Sequence, residues 1–212
     1  MEIKKLEVGS LSTNCYLIYS KGETGIIDPG GDPGKILKNL NFREPNGNRD
    51  HGKLEPKVKW IVATHFHWDH VNALPKLVKE LNADFFISKN DHDLYQKDNN
   101  SYIEPKKLLT ENCSIKLGSA NLQVWETSGH SPGSITLAEL DEKKLFVGDL
   151  IFAGGFGRTD LPGGSAKDLR QSLARLVKLE GNWTIFPGHG PTTDLQAELD
   201  HSPLLQDLVQ NG

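Results

Sequence analysis

Short apolar runs separated by polar turns mark the first part of the chain, and this pattern is typical of β-strands. Residues 11–20 contain the run CYLIY, and a second apolar run follows at 24–27. The polar residues between the two runs predict a hairpin. The sequence DPGG at 28–31 ends the second strand, because proline cannot continue a β-ladder and glycine permits tight turns. Apolar residues at helical spacing within 35–40 predict a short helix.

A continuous apolar run at residues 59–64 predicts a strand buried on both faces. Apolar positions then recur at helical spacing over 71–81, where Asn72 can cap the helix. The polar stretch 41–57 before this strand predicts an exposed loop, in which His51 is expected to be solvated.

Strands and helices continue to alternate in the rest of the chain. Strands are predicted at 84–88, 122–125, 135–140, 144–147 and 184–186, and helices at 90–96, 169–180 and from residue 193 onward. This mixture predicts a layered α/β domain.

Composition and charge narrow the class of protein. The chain has 212 residues, 36% hydrophobic and 25% charged, which is ordinary for a globular protein and fits a single domain over 1–212. The net charge of −4 argues against a nucleic-acid surface, which needs a basic stripe. No apolar run approaches the roughly 18 residues that span a bilayer, and the polar residues 1–5 do not resemble a signal peptide.

The two cysteines, Cys15 and Cys113, lie far apart in the sequence and lack Cys-x-x-Cys spacing. A disulfide framework is therefore not predicted, and a cytoplasmic protein is expected. Both cysteines are interpreted as buried small hydrophobic residues.

Histidines and aspartates follow the ends of four predicted strands. Because such strand ends converge at one rim of a layered α/β domain, we expect these side chains to lie close together. Imidazole and carboxylate groups are ligands that zinc and neighbouring metals prefer, so the sequence predicts a metal site. The candidate ligands are His65, His67, Asp69 and His70 after the strand at 59–64, and then His130, Asp149 and His189.

Seven ligands are too many for one tetrahedral ion. They suit two ions that share a carboxylate: three histidines for one ion, an aspartate and two histidines for the other, and one bridging aspartate. The set contains no cysteine and exceeds what a closed structural site needs. A catalytic centre is therefore favoured over a metal-stabilised interaction module.

The ligand spacing, His65-x-His67-x-Asp69-His70 followed by the three later ligands, resembles the metallo-β-lactamase superfamily of binuclear hydrolases. Within it the chain is most similar to the short glyoxalase II-like (hydroxyacylglutathione hydrolase-like) group. The resemblance implies an αββα four-layer sandwich with the metal site at one edge of the sheets. Supporting segments are NCYLI at 14–18, IDPG at 27–30, GHSPG at 129–133 and GHG at 188–190.

The resemblance also implies a role for each ligand. Two divalent ions are expected, zinc first, with iron or manganese as alternatives. Asp69 would also orient the attacking hydroxide and take its proton. His65, His67 and His130 would hold the first ion, Asp69, His70 and His189 the second, Asp149 would bridge them, and Asp28 would orient the cluster from outside.

The expected reaction is hydrolysis of a small-molecule thioester such as S-lactoylglutathione by hydroxide generated at the metals. Neither a nucleic acid nor a membrane is expected as a partner. Two alternatives on the same scaffold stay open, a lactonase and a persulfide dioxygenase with a single iron. That iron would be held by positions equivalent to His65, His130 and Asp149, and the sequence GRTD at 157–160 is similar to the dioxygenase branch. A phosphodiesterase is disfavoured, because the sequence shows no basic patch for a phosphate backbone.

Two departures from full-length glyoxalase II concern the substrate. Only residues 190–212 follow His189, so the C-terminal helical domain that supplies basic groups for glutathione is not expected. Arg158 falls where the family has a basic residue near the thiol substrate, which makes it the candidate substrate contact. Asp160 stands where the family has a tyrosine.

Overall fold

The computed structural model describes residues 1–40, 57–98 and 101–211. The predicted loop at 41–57 therefore lies outside the described residues, apart from Lys57, and so does His51. The described strands form two six-stranded sheets and a two-stranded ribbon. In these ranges no helix is long and apolar enough to cross a membrane.

The first sheet comes from the N-terminal half of the chain and has the order β1-β2-β3-β4-β5-β6. Its first three strands pair antiparallel, and β3 to β6 pair parallel. The strands are β1 Glu2–Val8, β2 Thr13–Ser20, β3 Glu23–Ile27, β4 Lys57–Val62, β5 Asp84–Ser88 and β6 Lys107–Leu109.

The second sheet has the order β14-β13-β10-β9-β8-β7. Because β10 and β13 pair parallel, the residues that follow them emerge at the same edge of the sheet. The strands are β7 Ser114–Leu117, β8 Ala120–Glu126, β9 Ile135–Glu139, β10 Lys144–Gly148, β13 Thr184–Pro187 and β14 Thr193–Asp194; β11 Ile151–Phe152 and β12 Gly155–Phe156 form the ribbon.

Helices cover the outer faces of both sheets. The helices are α1 Pro33–Lys38, α2 Trp68–Val71, α3 Leu74–Leu81, α4 His92–Asp98, α5 Ala166–Leu176, α6 Leu195–His201 and α7 Pro203–Asn211.

Strand β2 shows how the layers arise, since successive side chains of a strand point to opposite faces. Cys15 and Leu17 pack in an outer core with residues of α1 and α3. Tyr16 and Ile18 pack in the core between the sheets, where they join Phe146 of the second sheet. A third core lies between the second sheet and α5 to α7. The expected αββα sandwich is confirmed.

Several local predictions were wrong. Strand β1 was not predicted, because the lysines and glutamates of EIKKLEV hide its alternation. Asn72 does not cap α3, which begins after Ala73 with no side-chain cap. The C-terminal segment begins with β14 rather than a helix, and Asp194 then caps α6 by accepting from the amide of Ala197 at 2.9 Å. Both cysteines are free, but Cys113 is only partly buried.

Candidate metal centre

The seven candidate ligands meet where the ends of β4, β8, β10 and β13 converge. Their side chains form three groups, and within each group the ligand atoms all lie within 4.8 Å of one another. The groups are His65, His67 and His130; Asp69, His70 and His189; and His65, His70 and Asp149.

The carboxylate of Asp149 lies between the first two groups. Its Oδ2 atom is 3.5 Å from Nε2 of His130, in the first group, and 3.6 Å from Nε2 of His189, in the second. Its Oδ1 atom is 3.4 Å from Nε2 of His70. One carboxylate therefore faces both halves of the cluster.

Backbone carbonyls fix the outer nitrogen of two of these histidines. His130 donates from Nδ1 to the carbonyl of Arg158 at 2.8 Å, and His189 donates from Nδ1 to the carbonyl of Leu11 at 3.2 Å. A carbonyl can only accept, so the proton of each neutral ring sits on Nδ1. The Nε2 lone pair of each ring is left for a ligand, as is usual for metal-binding histidines.

Asp28 organises two further rings. It accepts from the amide of Thr64 at 2.7 Å and from the hydroxyl of Thr64 at 2.8 Å. Because that hydroxyl donates to Asp28, it accepts from Nδ1 of His65, 3.2 Å away. The second oxygen of Asp28 also lies 3.0 Å from Nδ1 of His70. Asp28 thus contacts the outer side of the cluster, which is the position that the family resemblance implies for it.

The inner atoms of the cluster fit a cation. Three of these inner atoms are buried without a hydrogen-bond partner among the described residues, namely Nε2 of His65, Nε2 of His70 and Oδ1 of Asp149. Leaving a buried polar atom unpaired costs about 1–3 kcal/mol. These atoms belong to side chains whose ligand atoms lie close together, and imidazole and carboxylate are ligands of divalent metals.

The two halves of the cluster differ in charge. In the first half, burial and the neighbouring imidazoles His130 and His70 lower the pKa of His67 to about 4, and burial holds the pKa of His65 well below its usual value. These rings are neutral at pH 7 and ready to ligate. His67 Nδ1 lies 2.8 Å from Nε2 of His130.

In the second half, neighbouring carboxylates favour the protonated, positively charged form of the histidines. Burial opposes ionisation of His70, but Asp149, Asp28 and Asp69 together raise its pKa to about 9. The hydrogen bond with Asp69 raises the pKa of His189. Burial opposes ionisation of Asp69 too, yet its contacts with His189 and His70 hold its pKa well below the usual range. A metal ion would replace these protons.

Glycine at position 188 is required by close approach. A Cβ atom there would lie 2.2 Å from Oδ1 of Asp149 and 2.7 Å from Cε1 of His70. Gly148 has a φ of 52°, and a Cβ there would lie 2.4 Å from Oγ1 of Thr64. The strand ends can converge on the cluster only because these positions have no side chain.

Two polar residues at the cluster were missed by the sequence reasoning. The hydroxyl of Thr13 donates to Oδ2 of Asp69 at 3.1 Å, and it lies one residue before the segment NCYLI that signalled the family. Asp91 is fully buried, and burial raises its pKa to about 6. Its position just before α4 is typical of a helix cap, so nothing in the sequence indicated a link to the ligand loops.

The guanidinium of Arg158 does not join the cluster. It forms two hydrogen bonds of 2.7 Å with Asp160 on the surface, and only its backbone carbonyl contacts a ligand. A substrate contact by Arg158 stays a prediction.

Comparison with known proteins points to one family. The family described as "Metallo-beta-lactamase superfamily" matches residues 8–189. The probable metallo-hydrolase YqgX of Bacillus subtilis is 31% identical, with 97% of this chain and 98% of that protein aligned. The hydroxyacylglutathione hydrolase GloC of Haemophilus influenzae is 28% identical, with the same coverage of 97% and 98%.

A solved structure gives the same result. The crystal structure of TTHA1623 in a di-iron-bound form has a TM-score of 0.80 and 31% identity, covering 94% of this chain and 98% of that one. These matches confirm the resemblance that the sequence motifs indicated. The chain belongs to the metallo-β-lactamase superfamily.

Proposed function

We propose that this protein is a hydrolase with a two-ion metal centre, and that its substrate is an acyl thioester such as S-lactoylglutathione. The position of Asp149 is the observation that carries the proposal, since its carboxylate faces a histidine of each half at 3.5 and 3.6 Å. The similarity to a relative named hydroxyacylglutathione hydrolase supports the thioester. We also propose that the protein works in the cytoplasm, which its two free cysteines support.

In this proposal the residues divide between two ions. His65, His67 and His130 would hold the first, Asp69, His70 and His189 the second, with Asp149 shared. Divalent ions at such a site supply Lewis acidity toward a carbonyl and lower the pKa of water, so that hydroxide forms near neutral pH.

Asp69 is suited to orient the attacking water. Its Oδ2 atom accepts from the hydroxyl of Thr13 at 3.1 Å and lies 3.2 Å from Nε2 of His189, so the carboxylate is fixed from two sides. Its depressed pKa makes it a weak base. We therefore assign Asp69 mainly to orienting the water and passing its proton on, and less to holding that proton.

The rim of the cluster favours a substrate whose reacting end is uncharged and partly apolar. Leu11, whose carbonyl contacts His189, is 53% exposed, and Trp68, between the ligands His67 and Asp69, is 50% exposed. Exposed large apolar side chains beside a site are typical of contacts with apolar groups of a ligand. An acyl thioester fits this rim better than a phosphodiester, whose charge calls for cationic side chains.

A mononuclear iron dioxygenase acting on a persulfide is the second candidate. It is favoured by the distance of 3.5 Å between Oδ2 of Asp149 and Nε2 of His130. These two residues and His65 can supply two histidines and one carboxylate to a single iron. Such triads are typical of non-haem iron oxygenases.

A substrate panel separates the candidates. Protein of measured metal content is assayed with thioesters, lactones, phosphodiesters and glutathione persulfide, and oxygen uptake is recorded. The proposal predicts thioester hydrolysis without oxygen uptake. Oxygen uptake with the persulfide and no thioester hydrolysis would replace it by the dioxygenase.

A further inference from the structure

Asp91 is a buried carboxylate that the metal centre described above does not use as a ligand. It is 0% exposed and lies between β5 and α4. Its Oδ2 atom accepts from the amide of Phe66 at 3.0 Å and from the hydroxyl of Ser131 at 2.7 Å. Its Oδ1 atom accepts from the amide of Gly133 at 2.6 Å. Each oxygen is therefore engaged with a loop that is distant in sequence.

Two of the three donors lie directly beside ligands of the first ion, and the third, Gly133, lies three residues after His130. Phe66 stands between His65 and His67, and Ser131 directly follows His130. The loop after β4 and the loop after β8 thus meet on one carboxylate. Buried hydrogen bonds to a charged acceptor are about twice as strong as those between neutral groups.

A helix-capping role does not account for these contacts. An N-cap aspartate accepts from amides in the first turn of its own helix. Every hydrogen bond that the Asp91 carboxylate accepts within the described residues comes from outside α4. The loop after His130 is also shaped to fit Asp91, since a Cβ at Gly133 would lie 2.4 Å from the amide nitrogen of Asp91.

We propose that Asp91 is a positioning residue that holds the two loops carrying His65, His67 and His130, and thereby sets the affinity of the first metal ion. The proposal rests on the two-ion function proposed above. The other half of the centre, with Asp69, His70 and His189, is not among the contacts of this carboxylate.

Zinc affinity measures this role directly. Metal-free wild type and Asp91→Asn are titrated with zinc against a chromophoric chelator to obtain the Kd of each ion. In Asp91→Asn, an amide NH₂ group replaces one carboxylate oxygen and faces a group that donated a hydrogen bond to that oxygen. Loss of a residue that orients metal ligands typically weakens binding 10–100-fold, so we expect the Kd of one ion to rise by about that factor. The Kd of the other ion should stay unchanged.

Three further variants make the result specific. His67→Ala removes a ligand of the first ion and so identifies which Kd belongs to that ion. Asp91→Asn should weaken the binding of the same ion. Ser131→Ala removes one of the three hydrogen bonds to Asp91, so it should weaken the binding of that ion by a smaller factor. This variant takes the place of Asp91→Asn if Asp91→Asn does not fold. Glu198→Gln is the matched control, because Glu198 is also buried and accepts from the amide of Gly154 at 2.9 Å, a residue that does not neighbour a ligand of the first ion in the sequence.

Unchanged zinc affinity in Asp91→Asn and Ser131→Ala would overturn the inference, and so would an equal loss for both ions or an equal effect of Glu198→Gln. The two-ion function fails separately, if wild type binds one ion only. The Kd of that single ion is then compared between wild type and Asp91→Asn, and an unchanged Kd again overturns the positioning role of Asp91.

Discussion

Replacing Asp28 by asparagine should weaken metal binding without unfolding the chain. Asp28 has a φ of 52°, in the left-handed region that asparagine tolerates. The side-chain carbonyl oxygen of the introduced asparagine can still accept from the amide of Thr64, which now lies 2.7 Å from Oδ1. The new NH₂ group would replace the oxygen that lies 3.0 Å from Nδ1 of His70. His70 then loses the carboxylate oxygen that lies beside its Nδ1 atom.

The size of the effect follows from this one contact. Outer partners of metal-binding histidines typically contribute 10–100-fold to affinity, or about 1.4–2.7 kcal/mol. Because His70 belongs to the half with Asp69 and His189, we expect the Kd of that ion to rise by this factor. The fold should persist, since both Thr64 contacts can be kept after the hydroxyl rotates.

Zinc titration against a chromophoric chelator measures the change, and thermal unfolding of the metal-free protein checks the fold. Asp32→Asn is a matched control, because Asp32 has a φ of 48° and accepts from the amide of Gly9 at 2.9 Å. Unchanged affinity in Asp28→Asn, or an equal loss in Asp32→Asn, would refute the reasoning.

Three further predictions concern protons, catalysis and packing. Zinc affinity should rise as the pH rises toward about 9, because His70 must lose its proton before it binds the metal. The metal-free protein should lose stability between pH 6.5 and about 9, since the pKa of His70 is higher in the folded than in the unfolded protein. Titrations and thermal unfolding across this range test both, and pH-independent values contradict them. Asp69→Ala should lower kcat about 10²–10⁴-fold in a folded protein, so full thioesterase activity would exclude its role. Gly188→Ala should abolish metal binding, because its Cβ would meet Asp149 at 2.2 Å. Gly190→Ala, with nothing within 4 Å, should keep the metals and lose about 1 kcal/mol of stability to its φ of 76°; equal metal content in the two variants would contradict this.

The ends of the ligand-bearing strands could be located from the sequence because two signals coincide there. A short apolar run predicts a buried strand, and a ligand-type residue beside glycine marks where it stops. His130, Asp149 and His189 each follow this pattern. The fold then brings these residues together, since the strands that precede them end at one edge.

Contacts between distant loops could not be predicted in this way. The donors to Asp91 lie 25, 40 and 42 residues away along the chain, and no periodic pattern connects them. The direction of the Arg158 side chain was equally hidden, because it depends on the ion pair with Asp160. Strand β1 was missed since an edge strand tolerates the lysines and glutamates that make its sequence look like a loop.

Stepwise metal loading with thioester hydrolysis followed in the same sample tests the two-ion hydrolase most directly. Metal-free protein receives zinc in measured amounts, and S-lactoylglutathione hydrolysis is recorded at each amount. Hydrolysis should reach its full rate only when two ions are bound per chain, and His67→Ala and His189→Ala should each retain one ion and lose most of the activity. One iron per chain, with oxygen uptake on glutathione persulfide and no thioester hydrolysis, would contradict the account.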